Sequence, residues 1–344
     1  MSTDVKHIPE AVLRAEVQRF LTGAGARAED AEQTTRALLH ASRIGVDSHG
    51  VRLCRYYADL LQAGVMNARP TRVMRRTGPA AGVLDGDDGL AHGASYQAMD
   101  EAVDMAATCG IGAVGVVHST HFGAAGAYAV EAAHRGMIGL VTTNSLSLVS
   151  LFGGGIAFHG TNPIAMAAPV PDSRPWLLDM ATSSIPFNRV QLYRSLGLSL
   201  PEGTAVDAQG HPTTDPARAS FLQPLGGPEF GFKGAALAGV VTILSAILPG
   251  ATLDPDILPD AQARQRREPA NIGHFFIAID PARFVGRTGY DAAITRYLEV
   301  LRASPAVDPK RPVMAPGDRE WAEAEKRARL GIPVDPDTLK ALGL

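Results

Sequence analysis

Apolar residues recur at helical spacing from the start of the chain. Leu13, Val17, Phe20 and Leu21 share one face behind Pro9, whose fixed φ suits a first helical position. A second periodic run, Ala28 to Ser42, predicts another helix, and a third begins near Gly50 and continues through Tyr56, Tyr57 and Leu61 to Gly64. From Ala81 the pattern changes to short apolar runs with helices between them: Gly82 to Asp85, a helix from His92 to Thr108, Ala113 to Val117, a helix from Ala124 to Arg135, then Ile138 to Thr142. Further strands are expected at Ile164 to Ala168, Trp176 to Asp179 and His274 to Ile279, so a helical N-terminal region should precede an α/β sheet. The stretch Pro249 to Pro269, rich in Pro, Asp and Arg, reads as an exposed connection.

One uncharged run, Gly234 to Leu253, approaches the length of a membrane span. Pro249-Gly250 cuts it to fifteen residues, and Ala and Gly dominate its first half, so a tightly packed interior helix is expected. The remaining composition is that of a soluble globular protein: 344 residues, 46% hydrophobic and 19% charged, with a formal charge of -3. That charge carries no basic footprint for nucleic acid, and no Lys/Arg run marks a membrane surface, which leaves small molecules as the expected partners. Cys54 and Cys109 form no CxxC pair, and Met1 to Phe20, with Asp4, Glu10 and Glu16, lacks the apolar core of a secretory signal. A cytoplasmic location is expected.

Chemistry concentrates at two histidines in Gly-bounded turns: His49 in Gly45-Val46-Asp47-Ser48-His49-Gly50 and His121 in His118-Ser119-Thr120-His121-Phe122-Gly123. An imidazole titrates near neutrality and can give or take a proton at a reacting oxygen. Gly110-Ile111-Gly112-Ala113-Val114-Gly115 matches the dinucleotide fingerprint by letter, but a helix precedes it and a strand follows, the reverse of the required context; these glycines read as a helix C-cap and turn. His121-Phe122-Gly123-Ala124-Ala125-Gly126 does follow a strand and open a helix, where free N–H groups can meet an anion. Lys233-Gly234 should add a cation at the start of the uncharged helix. Phe152-Gly153-Gly154-Gly155 and Gly160-Thr161-Asn162-Pro163 allow close backbone approach, or simply turn the chain. His118 and His121, with a carboxylate such as Asp179, leave a metal-dependent hydrolase or lyase as the alternative enzyme class, although no second ligand pair accompanies them.

Taken together, Asp47-Ser48-His49-Gly50-Val51, Tyr57, His121-Phe122-Gly123, Phe152-Gly153-Gly154, Gly160-Thr161-Asn162-Pro163, Asp179-Met180-Ala181-Thr182-Ser183, Lys233-Gly234 and Pro316-Gly317 resemble, in order, the malate/L-lactate dehydrogenase family of NAD(P)-dependent oxidoreductases. The resemblance implies a non-Rossmann malate/L-sulfolactate dehydrogenase-like α/β fold with a mixed sheet. It also implies a homodimer, a substrate and dimerisation part made of residues 1–120 with 275–344, and a cofactor-binding part at 121–274. NAD or NADP would exchange hydride with C2 of a small 2-hydroxy or 2-oxo (or cyclic imino) acid. His49, with Ser48 beside it, is the favoured acid/base, and His121 is the alternative, touching cofactor and substrate. Arg52, Tyr57 and Thr161 would meet the substrate. His121, Phe122, Gly123, Ser145, Asp179, Met180, Ala181, Lys233, Gly234, Gly317 and Asp318 would meet the cofactor, and no metal is implied. The chain departs from the pattern at Leu53, where many members place a carboxylate-gripping arginine; Arg52 and Arg55 are the nearby replacements. A non-catalytic cofactor-binding relative is the other alternative that these departures suggest.

Overall fold

The structure, a computed structural model, describes residues 5–344. Asp4, part of the reading of the N-terminus, lies outside the described residues. The N-terminal pattern folds as expected: β1 (Lys6–Ile8), α1 (Glu10–Gly23) and α2 (Ala28–Arg43) lead to the turn that carries His49. The third helix starts later than the pattern suggested. Two 3-10 turns, Asp47–His49 and Val51–Leu53, intervene before α3 (Cys54–Gln62), because Gly50 is extended and interrupts the winding.

The central layer is built from β2 (Val73–Gly78), β3 (Ala81–Asp85), α4 (Ala91–Cys109), β4 (Ile111–Ser119), α5 (Gly126–His134) and β5 (Ile138–Thr143). Next come β6 (Val149–Ser150), β7 (Ala157–His159), β8 (Ile164–Ala168), β9 (Trp176–Met180) and α6 (Phe187–Leu196), then β10 (Ala205–Val206), β11 (Pro212–Thr213), β12 (Phe221–Leu222) and α7 (Gly227–Thr242). The chain closes with α8 (Asp260–Arg266), β13 (Ile272–Ile279), α9 (Arg287–Arg302), α10 (Asp318–Leu330), β14 (Ile332–Val334) and α11 (Pro336–Leu342). The large sheet is mixed, in the order β2-β3-β4-β13-β5-β8-β9. Only β3 and β4 pair in parallel there, while β13 runs antiparallel to both β4 and β5. A five-stranded sheet, β11-β10-β12-β6-β7, and the β1-β14 pair complete the layers.

Alternation along β4 assigns the two faces of the large sheet. A Cβ at Gly112 would strike Ala102 and Met105 of α4, whereas one at Gly115 would strike Pro249 beyond α7, so helices cover both sides. The fingerprint glycines therefore serve close packing, and Gly110, at φ 86°, is the left-handed C-cap of α4. The main core lies between this sheet and α4 and α5, centred on Leu84, Met99, Tyr128 and Phe276. A second core joins α1, α2 and α3 to Ile332, Val334, Leu339 and Leu342, so the two ends of the chain pack as one unit.

Two expectations about the apolar helix are corrected. The apolar helix begins at Gly227, and Lys233-Gly234 sits well inside it rather than at its start; Gly226 and Pro228 set the true N-terminus. Nor is the helix interior. It continues as a π-helical turn, Ile243–Ile247, that packs on β13, while Leu237, Val240, Ile243, Ile247 and Leu248 form an exposed apolar face. Pro249 to Pro269 is largely exposed, as expected, yet contains Asp254 at 0% accessibility. Its carboxylate accepts from Asn144 Nδ2 (2.9 Å), Asn162 Nδ2 (2.7 Å), Thr242 Oγ1 (3.2 Å) and the Gly160 N–H (3.0 Å). Burial alone would raise its pKa, but these donors and His159 outweigh that and hold it below the usual range. The segment is thus a knot that ties the loops after β5 and before β8.

Candidate active site

In the large sheet β3, β4, β5 and β9 point the same way, so the segments that leave their C-terminal ends emerge on one edge. Those segments are the loop to His92, the turn of His121 to Gly123, Asn144-Ser145, and Asp179 to Ala181. Ligand sites in open α/β sheets favour such an edge.

His49 reaches this edge on a braced turn. Arg327 of α10 grips both oxygens of Asp47 and the Ser42 carbonyl (2.6 Å), and Glu323 braces Arg327 in turn (2.7 Å). Ser42 Oγ accepts the Val51 N–H (3.0 Å), and a side chain at Gly50 would collide with Ser42. The His49 ring then stacks on His121, with centroids 5.8 Å apart. Each ring is tied at Nδ1 to a hydroxyl, His49 to Ser48 Oγ (2.8 Å) and His121 to Tyr57 Oη (2.8 Å). That leaves each Nε2 without a protein partner among the described residues. Burial lowers the pKa of His49, and burial with the neighbouring His49 lowers that of His121 to about 3. Both rings are therefore neutral at pH 7, and each Nε2 is available to a substrate oxygen.

Sequence reasoning missed two neighbours. His274 of β13 donates and accepts between Thr143 Oγ1 (2.7 Å) and Ser119 Oγ (2.9 Å) and stacks flat on Phe122 at 4.5 Å. His92, at the start of α4, is fully buried against Tyr57, with ring centroids 4.7 Å apart. Both fell inside segments whose apolar pattern had already been assigned as strand and helix, and no local motif marks them.

The expected substrate contacts separate. Tyr57 is fully buried and spends its hydroxyl on His121. Arg52 is exposed, and its charge acts on Asp335 of the C-terminal segment; Arg55 is also exposed and faces Asp59 at 4.0 Å. The 3-10 winding of Val51–Leu53 advances about 120° per residue and leaves Arg52 exposed, one residue before the Leu53 position. Thr161 is half-buried, and its carbonyl accepts from Thr182.

Of the expected cofactor contacts, Phe122, Gly123, Ser145 and Asp179 to Ala181 lie along the same edge, whereas Gly317 and Asp318 pack beside Leu177 at the start of β9, the opposite end of that strand. Phe122 and Gly123 are both buried, and the Phe122 carbonyl accepts from the Tyr128 hydroxyl. Asp179 Oδ2 accepts the Gly126 N–H (2.8 Å), so the protein itself supplies a carboxylate to the N-terminus of α5. Burial raises this carboxyl to about 6, against the pull of that N–H and with a further push from Glu320. Met180 and Ala181 are half-buried, and Ser145 Oγ and Asn162 Oδ1 are buried without partners, packed tightly around Gly160. Gly234 passes against Leu225, its N–H donating to that carbonyl (3.1 Å). Lys233 is exposed over Phe230, 5.1 Å from its ring centre. Gly317 and Asp318 open α10 beside a cavity of about 270 Å³ lined by Arg174, Trp176, Arg302 and Trp321, and Asp318 is held by Arg302. His118 and His121 diverge: His118 turns to Asp85 (2.9 Å) and His121 to Tyr57.

Known proteins decide between the readings left open. The family model described as malate/L-lactate dehydrogenase matches residues 8–343. The chain belongs to the malate/L-lactate dehydrogenase family. Malate dehydrogenase of Pyrococcus horikoshii is 36% identical over 341 residues, 97% of this chain and 93% of the relative. Ureidoglycolate dehydrogenase (NAD(+)) of Escherichia coli is 29% identical over 326 residues, 95% of this chain and 92% of the relative. The crystal structure of malate dehydrogenase from Entamoeba histolytica superposes with a TM-score of 0.92 at 28% identity, covering 99% of this chain and 97% of that one. The fold is the expected mixed α/β fold of this family. The enzyme is an oxidoreductase of the NAD(P)-dependent hydroxy-acid dehydrogenase class.

Proposed function

We propose that this member of the malate/L-lactate dehydrogenase family oxidises a small 2-hydroxy acid, or reduces the corresponding 2-oxo or cyclic imino acid, at C2. One observation carries the reading: two stacked neutral histidines, each anchored at Nδ1 by a hydroxyl, present both Nε2 atoms at one sheet edge. In oxidation His49 Nε2 takes the hydroxyl proton as C2 loses hydride, and in reduction it returns that proton to the new oxygen. Ser48 holds the ring and links it to solvent, while His121 Nε2 orients the same oxygen. Thr161 contributes a hydroxyl for the substrate carboxylate.

A nicotinamide dinucleotide, NAD or NADP, supplies the hydride acceptor or donor when bound. The buried, unpartnered Ser145 Oγ and Asn162 Oδ1 beside Gly160 fit a polar ligand at this edge. Asp179, Met180, Ala181, the backbone of Phe122 and Gly123, Lys233 and Gly234 within α7, and Gly317 and Asp318 at the start of α10 complete the residues proposed to hold it. We place residues 1–120 with 275–344 in one part and residues 121–274 in the other; the shared core of the two chain ends supports joining the first two, while β13 carries the large sheet across the boundary.

The enzyme is further proposed to be a cytoplasmic homodimer without membrane or nucleic-acid partners, its apolar α7 face covered by a second copy. Ile243→Asp on that face should give a monomer by light scattering; an unchanged mass would remove α7 from the interface. The function itself is tested by following reduced nicotinamide absorbance with NADH and NADPH against pyruvate, oxaloacetate, sulfopyruvate, 2,3-diketogulonate and cyclic imino acids, and in reverse with ureidoglycolate and NAD. Turnover above the no-substrate rate is expected for at least one acid. No turnover and no dinucleotide binding would overturn the reading.

A further inference from the structure

Asp254 is a buried carboxylate with no lysine or arginine partner among the described residues. Its cage is built from neutral donors and one imidazole. Oδ1 accepts from Asn144 Nδ2 (2.9 Å), and Oδ2 accepts from Asn162 Nδ2 (2.7 Å), the Gly160 N–H (3.0 Å) and Thr242 Oγ1 (3.2 Å), with His159 Nδ1 at 3.5 Å. An ionised carboxylate only accepts, so an amide beside it must turn its nitrogen inward.

That requirement settles the orientation of the Asn162 carboxamide. One N–H of Nδ2 goes to Asp254 and the other to Thr242 Oγ1 (3.1 Å), so both donors are spent. Oδ1 is left on the other side of the amide, buried and without a donor. The backbone is constrained as well: Asn162 stands at φ +37°, in the left-handed region that asparagine tolerates better than most residues. The same carboxylate orders the loop after β5. Asn144 gives its second N–H to the Thr252 carbonyl (2.8 Å) and takes the Gly273 N–H on Oδ1 (2.9 Å). This fixes the residue before Ser145, whose hydroxyl is the other buried group without a partner at this edge.

We propose that Asp254 is a positioning residue for dinucleotide binding: by holding Asn162 at Nδ2, it presents Oδ1 as an acceptor to an N–H or O–H group of the bound dinucleotide, on the same wall as the Ser145 hydroxyl. The proposal rests on the dehydrogenase reading. The chemistry of Oδ1 narrows what it receives: phosphate oxygens only accept and cannot pair with it, whereas the carboxamide N–H and the ribose hydroxyls can. Without Asp254 the amide loses its charged anchor and is free to rotate, and the acceptor is lost from the site.

The test measures dinucleotide Kd by fluorescence titration, with steady-state kinetics, on the full-length enzyme and whichever of NAD and NADP the wild type binds. Asp254→Ala should raise Kd about 10-fold, the scale of one lost hydrogen bond, with the loss falling on Kd and KM rather than on kcat. Asp254→Ser, which leaves a hydroxyl in the cage, takes its place if Asp254→Ala does not fold. Asn162→Gly, which suits the left-handed backbone, should weaken binding to the same extent. Asp254→Asn, whose amide oxygen can face the three donors at the Oδ2 position, should restore wild-type affinity. In the double mutant the two losses should not add, because Asp254 acts through Asn162, whereas a merely structural role would let them add. The 3-acetylpyridine analogue of the dinucleotide lacks the carboxamide N–H and separates the two donor sources. If the penalty of Asn162→Gly vanishes with the analogue, Oδ1 receives the carboxamide; if it persists, Oδ1 receives a ribose hydroxyl. A folded Asp254→Ala or Asn162→Gly enzyme with wild-type Kd, or losses that add, overturns the proposal alone. A wild type that binds neither dinucleotide overturns the dehydrogenase reading and the proposal with it.

Discussion

Two walls of one sheet edge are built on opposite terms. On the histidine wall, His49, His121 and Tyr57 are bonded to protein partners before any ligand arrives, and their turn is clamped from α10 by Arg327. On the other wall, Ser145 Oγ and Asn162 Oδ1 have no partners, and Phe152, Phe230 and Phe232 stand exposed. The difference teaches which groups must be in place for proton transfer and which are left to be satisfied by what binds. Acid/base groups tolerate little angular error, so their geometry is fixed by the fold. Binding groups gain from staying unpaired, because a ligand that satisfies them removes the cost of a buried lone donor or acceptor.

The strongest way to break the contrast is His49→Ala. It should lower kcat by about 10²-fold or more while dinucleotide binding, followed by fluorescence titration, persists. Full activity would move the acid/base role to His121. Arg327→Leu comes next: it releases the turn without touching a reacting atom. Because Asp47 is about half exposed, the stability loss should be about 1–3 kcal/mol in urea unfolding, accompanied by a fall in kcat with little change in dinucleotide affinity. An unchanged kcat would show that the turn holds His49 without the clamp.

Acid tests the same wall from another side. Burial depresses His121 and His274 to about 3, from an ordinary 6.5, so the native state binds fewer protons than the unfolded chain between those values. The sign follows directly: their contribution is complete above pH 6.5 and is lost as pH falls toward 3, at about 1.4 kcal/mol per pH unit for each ring. Urea midpoints measured from pH 7 to 4.5 should fall, and His274→Gln should flatten that fall. Asp179 works in the opposite sense. Its carboxyl is raised to about 6, so its protonated form favours the fold and that advantage disappears as pH rises through 6. The smallest effect belongs to the open wall: Ser145→Ala should weaken dinucleotide binding a few-fold, about one net hydrogen bond, and leave kcat nearly unchanged. A large loss of kcat would mean that this wall, too, is organised for chemistry.

Much of this was legible in the chain. The helix of Leu13, Val17 and Leu21, the strands around Gly82 to Asp85 and Ile138 to Thr142, and the rejection of the Gly110 fingerprint all rest on local periodicity and order, and they match the fold. The motif pairing of His49 with His121 also survives as a stacked pair. The apolar helix misled because composition reports what a surface avoids and not what covers it. Its run lacks charge, yet Val240, Ile243 and Ile247 are exposed in the single chain. Asp254 misled in reverse, since an acidic residue in a Pro-rich stretch reads as solvated until its donors are known.

The sequence by itself determined the order of elements, the family and the two histidines, because these depend on residue spacing and on motifs that short segments carry intact. Only the tertiary structure decided that Arg52 turns outward, that Asp179 caps α5, that Arg327 braces the His49 turn and that His92 stands behind Tyr57. Those facts join residues 35 to 280 positions apart, and contacts at such separations are chosen by how sheets and helices pack, which no local pattern encodes.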